Sequence, residues 1–501
     1  MSAKFDELKN RLGDINDLGA AGAVLGWDMQ TYMPPGGAEA RAIQLSTIRK
    51  TTHNWFVSDE IGQLLEDLEA ELAGADYDSF EASLVRVTRR HYDRERKLPA
   101  ELVTELSKTT SLAHQVWQKA RAESDFAQFQ PYLEKILDLT IQKAEAWGYE
   151  DRVYDALLEG FEPGMKAAQV ETLFGEMKEG LVPLVQAIAK CKDAVDDSLF
   201  DQDFDVDKQW DFGIEVVKAF GFDFDCGRQD KTAHPFTTSF SPSDVRLTTR
   251  LYPHMFKSAL FSSMHESGHG MYEQGFDRSF DRTSLSGASS LGVHESQSRM
   301  WENIVGRSRR FWIHWLPRLK EYFPRQLEGV GVEAFYQAIN RVEPSLIRVE
   351  ADEVTYNLHI FIRFEIENLM VEGKVKVADL PELWDAKMEE YLGIRPPDVA
   401  DGVLQDVHWS SGYIGYFPTY SLGNLLASQF YGQAVSEDPS IPARIEQGEF
   451  APLFTWMREK IHRPGSTYMP TELVEHVTGG PIRTAPFLDY IRAKYTDIYK
   501  L

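Results

Sequence analysis

The sequence predicts a mainly α-helical protein with one small β element set beside a metal-binding helix. Three observations carry that prediction. Long amphipathic stretches with few Gly or Pro fill both halves of the chain. One convincing strand signal runs from His234 to Arg250. Soon after it comes His265-Glu266-Ser267-Gly268-His269, the H-E-x-x-H pattern.

From Phe5 to about Lys192 the pattern is helical, most regularly over Phe80 to Lys97 and Ala100 to Ala122. Pro34, Pro35, Gly36 and Gly37 interrupt it with a loop. Trp27 and Met33 beside that loop can line a cleft or, as such residues more often do, pack into the core. Between Asp196 and Asp230 acids alternate with Phe and Trp. Their spacing is not that of a D-x-[DN]-x-[DN]-G calcium loop, and the stretch reads as a solvated connection.

His234 to Phe240 and Val245 to Arg250 are rich in Thr, Phe and Val and are joined by Ser241-Pro-Ser-Asp244, which predicts a β-hairpin. Its edge can be plain scaffold, or it can pair with an extended peptide backbone.

On a helix, residues i and i+4 share a face about 5–6 Å apart at Cβ, so His265 and His269 can reach one ion at about 2.0–2.1 Å. Glu266, one residue beyond the first His, can stay off the metal and act as general base. Hydrolytic zinc needs a third protein ligand and an open position. The run GMYEQGFDRSF after His269 lacks H-x-x-G-x-x-H. Instead SLSGASSLG leads to a second helix near His294, opened by Glu295 and carrying Met300, Trp301, Ile304 and Val305 at helical spacing. Packed antiparallel, the two helices would bring Glu295 over the histidines, giving a His265, His269, Glu295 site. Gly268 and Gly270 each cost about 1 kcal/mol in a helix, so the first helix is intrinsically weak.

Helices are expected next over Arg309 to Tyr322, Glu333 to Arg341, Ser345 to Glu372 and Asp379 to Leu392. Arg348 and Asp352 then stand at i and i+4. They can support a helix surface, or Arg348 can clamp a carboxylate. The loop Gly402 to Trp409, with His408, precedes SSGYIGYFPTYSLG, where Tyr413, Tyr416 and Tyr420 can donate to a developing oxyanion or pack as core. Asn424 to Leu501 reads as helices again. Glu266 and His269 also spell Glu-x-x-His, repeated at Glu459 and His462, a pattern used by di-iron sites in helical bundles. The second copy abuts Arg463-Pro464-Gly465, a poor place for a bundle core.

The chain has 501 residues, 43% of them hydrophobic, and a formal net charge of −25. That composition supports a large core and argues against nucleic-acid partners. The opening residues do not resemble a secretory signal, no apolar run approaches a membrane span, and Cys191 and Cys226 are too few for a disulfide framework. These features predict a cytoplasmic protein without membrane partners.

Six motifs in order, HPF (His234 to Phe236), D-x-R-x-T (Asp244, Arg246, Thr248), HESGH, HESQ (His294 to Gln297), IRVEAD (Ile347 to Asp352) and GVLQDVHW (Gly402 to Trp409), resemble those of the Taq-type thermostable metallocarboxypeptidase family. The resemblance spans essentially the whole chain. It implies a large helical peptidase fold similar to neurolysin and angiotensin-converting enzyme, with a deep central groove and a small sheet next to the metal. It also implies one catalytic domain over 1–501, in which an N-terminal lobe to about 195 roofs the groove and about 230–430 form the metal and substrate core. Implied with the fold is a cytoplasmic homodimer that releases single C-terminal residues from peptides with a free C-terminus. One divalent metal per chain is implied, usually zinc, with cobalt or manganese able to substitute. By position, His265, His269 and Glu295 match the ligands and Glu266 the catalytic carboxylate. Arg348 matches a residue facing the peptide's terminal carboxylate, His408 lies in the catalytic GxxQDxHW motif, and His234 and Arg246 fall in substrate-binding motifs. Similarity of SSGYIGYF to angiotensin-converting enzyme implies Tyr416 as oxyanion donor and Tyr413 as carboxylate contact.

Overall fold

The computed structural model describes residues 2–501. It is mainly helical, with one three-stranded sheet among the described residues, as the sequence predicts. The chain divides into two compact units. One comprises Met1–Arg96, Asp197–Ile339 and Leu426–Pro481; the other comprises Lys97–Asp196, Asn340–Leu425 and Ile482–Leu501.

In the first unit the helix Ala3–Thr31 starts at Ser2, whose hydroxyl accepts from the Phe5 amide at 3.3 Å. Phe5, Leu8 and Leu12 recur at helical spacing and are buried with Ile61, Leu65 and Leu68 of Asp59–Glu71 and with Leu84, Val85 and Tyr92 of Phe80–Arg96. Trp27 near the end of the first helix is buried, under the guanidinium of Arg246 at 4.3 Å from its ring.

The stretch expected as a solvated connection contains a helix, Val206–Phe220, and a strand, β1, Gly227–Lys231. Phe212, Val216, Val217 and Phe220 bury one helical face while Asp207 and Asp211 stay exposed on the other. Asp205 caps its start, accepting from the Lys208 amide at 3.0 Å, and Gly221 ends it at φ 117°. The density of acids concealed an amphipathic period.

The expected hairpin is present as β2, Thr237–Ser241, and β3, Asp244–Thr249. Sheet order is β1-β3-β2, with β1 parallel and β2 antiparallel to β3, Thr238 facing Arg246, and a bulge between Ser239 and Ser241. The sheet packs on the helix Phe256–Gly275, which carries H-E-x-x-H. The next helix begins at Leu291, not at Glu295, because Ser290 caps it through the Val293 amide at 3.0 Å. It runs over Leu291–Arg299 into a π-helical turn, Met300–Val305. Its packing on the metal-site helix is tight at Gly268, where a Cβ would lie 2.5 Å from the Gln297 carbonyl oxygen. A glycine that weakens the helix is what admits its neighbour.

The second unit is helical. Its centre is Tyr356–Val371, in which only Glu365 and Leu369 escape full burial. This helix is shorter than the predicted Ser345 to Glu372. Arg348–Glu350 is an isolated 3₁₀ turn, and Asp352 Oδ1 accepts from the Val354 and Thr355 amides at 2.9 and 3.0 Å. That cap takes amides a continuous helix would have used. Among the described residues no helix is long and apolar enough to cross a membrane.

Candidate metal centre and substrate-contact residues

His265, Glu266 and His269 lie on one helix and Glu295 on the next. Contacts between the two run in opposite chain directions: His265 meets Glu302, and Glu273 meets His294. This antiparallel packing places Glu295 Oε2 3.5 Å from His265 Nε2 and 3.4 Å from His269 Nε2. The donor atoms of the three residues all lie within 4.8 Å of one another, a span that fits one ion with bonds of about 2 Å.

Each imidazole is oriented from behind. His265 Nδ1 is 2.8 Å from Glu302 Oε2, and His269 Nδ1 donates to the His294 carbonyl at 3.1 Å. The Nε2 atoms are thereby left facing Glu295, the arrangement in which carboxylates and carbonyls fix metal-binding histidines. Glu302 in turn accepts from Arg299 and Arg307, each at 3.3 Å. Sequence reading missed Glu302, Arg299 and Arg307. Glu302 stands seven residues beyond Glu295, two helical turns along one face, which is the signal that could have found it.

The charges suit a cation. Burial pushes the Glu302 carboxyl up, but Arg299, with His265 and Arg307, outweighs burial and brings it down to about 2. Glu295 is likewise held well below the carboxylate range, because Arg299 and the imidazoles overcome its burial. Burial, with His294 beside it, pushes His269 down to about 3, so it stays neutral with a free lone pair. At His265 burial acts downward too, but Glu295 and Glu302 prevail and raise it; a cation would displace that proton. Two nitrogens from half-buried imidazoles and one oxygen from a buried carboxylate, all oriented, fit a divalent ion.

Glu266 is 8% exposed. Its Oε2 accepts from the Thr237 hydroxyl at 2.6 Å, which ties it to β2. Burial raises its pKa, opposed by His265 and by the Thr237 hydroxyl, as suits a carboxylate that must both take and give a proton. Of the other two residues placed near here by motif, His234 is exposed. Arg246 pairs with Asp244 through two 3.0 Å bonds and stacks between Trp27 and Phe240.

In the second unit Arg348 is buried and does not pair with Asp352, which caps the following helix. It binds Asp406 through Nε and Nη2 at 3.1 and 2.8 Å and donates to the Tyr356 hydroxyl at 3.0 Å. The buried Arg363 pairs with the same Asp406, so two guanidiniums share one carboxylate and the cluster keeps a net positive charge. Burial lowers His408 to about 4, against the pull of Asp406, so its ring is neutral. That ring packs at a tilt against Phe417, 4.6 Å between centroids, and lies 5.4 Å from Tyr416. Tyr413 is 50% exposed and Tyr416 half-buried.

The di-iron alternative fails on geometry. Glu459 is exposed and ion-paired with Arg463, while His462 is buried against Gln297 at 2.9 Å, so the repeated Glu-x-x-His does not form a site. Cys191 and Cys226 are both free thiols.

A helical scaffold that brings an H-E-x-x-H pair and a following glutamate to one point, with a buried carboxylate between the histidines, defines a metal-dependent peptidase. The chain belongs to the carboxypeptidase Taq (M32) metallopeptidase family, whose model matches residues 7–495. It is 44% identical over 494 residues to thermostable carboxypeptidase 1 of Thermus thermophilus, covering 96% of each chain. With carboxypeptidase 1 of Bacillus subtilis it shares 38% identity over 497 residues, 99% of this chain and 98% of the other. The crystal structure of an M32 carboxypeptidase from Deinococcus radiodurans R1 superposes with a TM-score of 0.97 at 40% identity, covering 100% of both chains. By family, then, this is a metallocarboxypeptidase, and peptides are its substrates.

Proposed function

We propose that the protein is a zinc carboxypeptidase that releases single C-terminal residues from peptides with broad preference. His265, His269 and Glu295 would hold the ion. Two imidazoles with one carboxylate are a zinc donor set, with cobalt or manganese as substitutes. When bound, the ion supplies Lewis acidity, acidifying water and polarising the scissile carbonyl. Glu266, held by Thr237, takes the proton from water as it attacks and returns it to the leaving amine. Tyr416 and His408 are assigned to the developing oxyanion. Arg348 is assigned to the terminal carboxylate, and Tyr413, His234 and Arg246 to further peptide contacts. The shared Asp406 leaves the Arg348 and Arg363 pair one positive charge in excess, which supports an anion-recognition role. The span of the family match supports reading 1–501 as one catalytic domain. A cytoplasmic homodimer rests on the resemblance alone.

The observation that carries this reading is the convergence of His265 Nε2 and His269 Nε2 on Glu295 Oε2 beside the tethered Glu266. The test is a timed digest of free and C-amidated peptide pools, read by mass spectrometry, with the zinc-reconstituted protein and its Glu266→Gln variant. Losses of one residue at a time from free C-termini only, absent in the variant, are expected. Internal cuts or losses of residue pairs would replace this reading with an endopeptidase or a dipeptidyl carboxypeptidase.

A further inference from the structure

Glu367 lies near the C-terminal end of the central helix Tyr356–Val371 and is fully buried. Three neutral donors, rather than a cation, hold it. Oε1 accepts from Trp409 Nε1 at 2.8 Å. Oε2 accepts from the Gly415 amide at 3.0 Å and from the Tyr154 hydroxyl at 2.8 Å. Tyr154 belongs to a separate short helix, Val153–Leu158.

The positions of two of those donors matter. Trp409 directly follows His408, and Gly415 directly precedes Tyr416. The intervening chain has little regular structure beyond a 3₁₀ turn, His408–Ser411, and such segments are mobile unless tied down. Gly415 is itself locked, at φ 94° and so close to the helix Val153–Leu158 that a Cβ would lie 2.9 Å from the Leu157 carbonyl carbon. One carboxylate therefore anchors the loop at both ends of the stretch that presents His408 and Tyr416. Burying a carboxylate costs far more than burying an apolar side chain of its size, so stability alone is a poor reason for this residue. Holding catalytic donors within about 0.5 Å of their working positions is a better one.

We infer that Glu367 is a positioning residue that anchors Trp409 and Gly415, the immediate neighbours of His408 and Tyr416, and so sets the geometry of oxyanion stabilisation. This rests on the roles proposed for His408 and Tyr416. Glu367 touches no substrate; it acts through Trp409 and Gly415.

The test compares two variants that each remove one hydrogen bond from the same carboxylate. Trp409→Phe frees the loop, whereas Tyr154→Phe frees only the short helix. Steady-state kinetics on one short peptide, metal content and melting temperature are measured for both, for Glu367→Gln, and for His408→Ala and Tyr416→Phe. Misplacement by 1 Å can cost about 10²-fold in rate, so Trp409→Phe is expected to lower kcat by about 10- to 100-fold with KM and metal content near wild type. Tyr154→Phe should stay within about twofold of wild-type kcat, as for a change away from the reacting groups, whatever its effect on melting. Glu367→Gln, whose amide must point a donor at a donor, should follow Trp409→Phe; if it does not fold, the two hydroxyl- and indole-deletion variants still decide. Equal kcat losses in Trp409→Phe and Tyr154→Phe, or none in either, would overturn the inference and leave Glu367 as scaffold. Wild-type kcat in both His408→Ala and Tyr416→Phe would instead remove the reading beneath it, and the inference with it.

Discussion

Arg299 holds Glu295 through Oε1: its Nε lies 2.6 Å from that oxygen, while Oε2 faces the two imidazoles and accepts from the Ser298 hydroxyl at 3.0 Å. The same guanidinium reaches Glu302, the partner of His265. One cation thus orients two of the three candidate ligands. Arg299→Met should weaken binding of the divalent metal by about 10- to 100-fold, the usual cost of losing an outer partner of a metal ligand. Chelator competition on the purified protein measures this without recourse to activity.

Thr237 tunes the proposed base. Its hydroxyl bond to Glu266 lowers the carboxyl's pKa against the burial that raises it. Thr237→Val removes the bond, so Glu266 should titrate at higher pH. The acidic limb of the kcat/KM profile is expected to move upward, with activity falling more at pH 5.5 than at pH 8. An unmoved limb would separate Thr237 from Glu266 in function.

Glu302 sets part of the acid stability. Its carboxyl titrates at about 2 in the folded protein against an ordinary 4.5, so its stabilising contribution is complete above about pH 4.5 and is lost on descent to about pH 2. Breaking a buried pair from one side costs roughly 3–5 kcal/mol. Metal-free Glu302→Gln should therefore melt below wild type near neutral pH, and the gap should close as pH falls from 4.5 towards 2. Calorimetry over that range checks the sign.

Asp406 pairs with both Arg348 and Arg363, and although burial pushes its carboxyl up, those guanidiniums pull its pKa far below the usual range. Asp406→Asn would leave two buried like charges facing each other. A loss of roughly 3–5 kcal/mol in denaturant unfolding is expected, whereas Asp352→Asn, whose carboxylate accepts from the Val354, Thr355 and Glu343 amides and the Thr355 hydroxyl and faces no buried cation, should cost about 1–2 kcal/mol.

The H-E-x-x-H pair and its glutamate were legible because their chemistry repeats at helical spacing, a local signal. The hairpin was legible for the same reason, in β-branched and aromatic residues flanking a short polar link. What escaped was non-local or masked. β1 reads GRQDK, with no strand pattern, and exists because β3 offers a parallel edge. The helix Val206–Phe220 was hidden by acids that lie on its solvent face. Arg348 was set against Asp352 by spacing that assumes a helix, whereas Asp352 caps one and Arg348 finds a partner 58 residues away. Thr237 acts on the site through a contact that only folding creates, whereas Arg299 stands at i+4 from Glu295 and i−3 from Glu302, a spacing that helix periodicity alone could have flagged.

The π turn at Met300–Val305 is, in effect, an α-helix carrying one surplus residue. In a regular α-helix two residues five apart lie about 140° apart around the axis; the wider turn instead sets Arg307 Nη2 3.3 Å from Glu302 Oε1. The backbone of this turn is therefore as much a part of the centre as the side chains it carries.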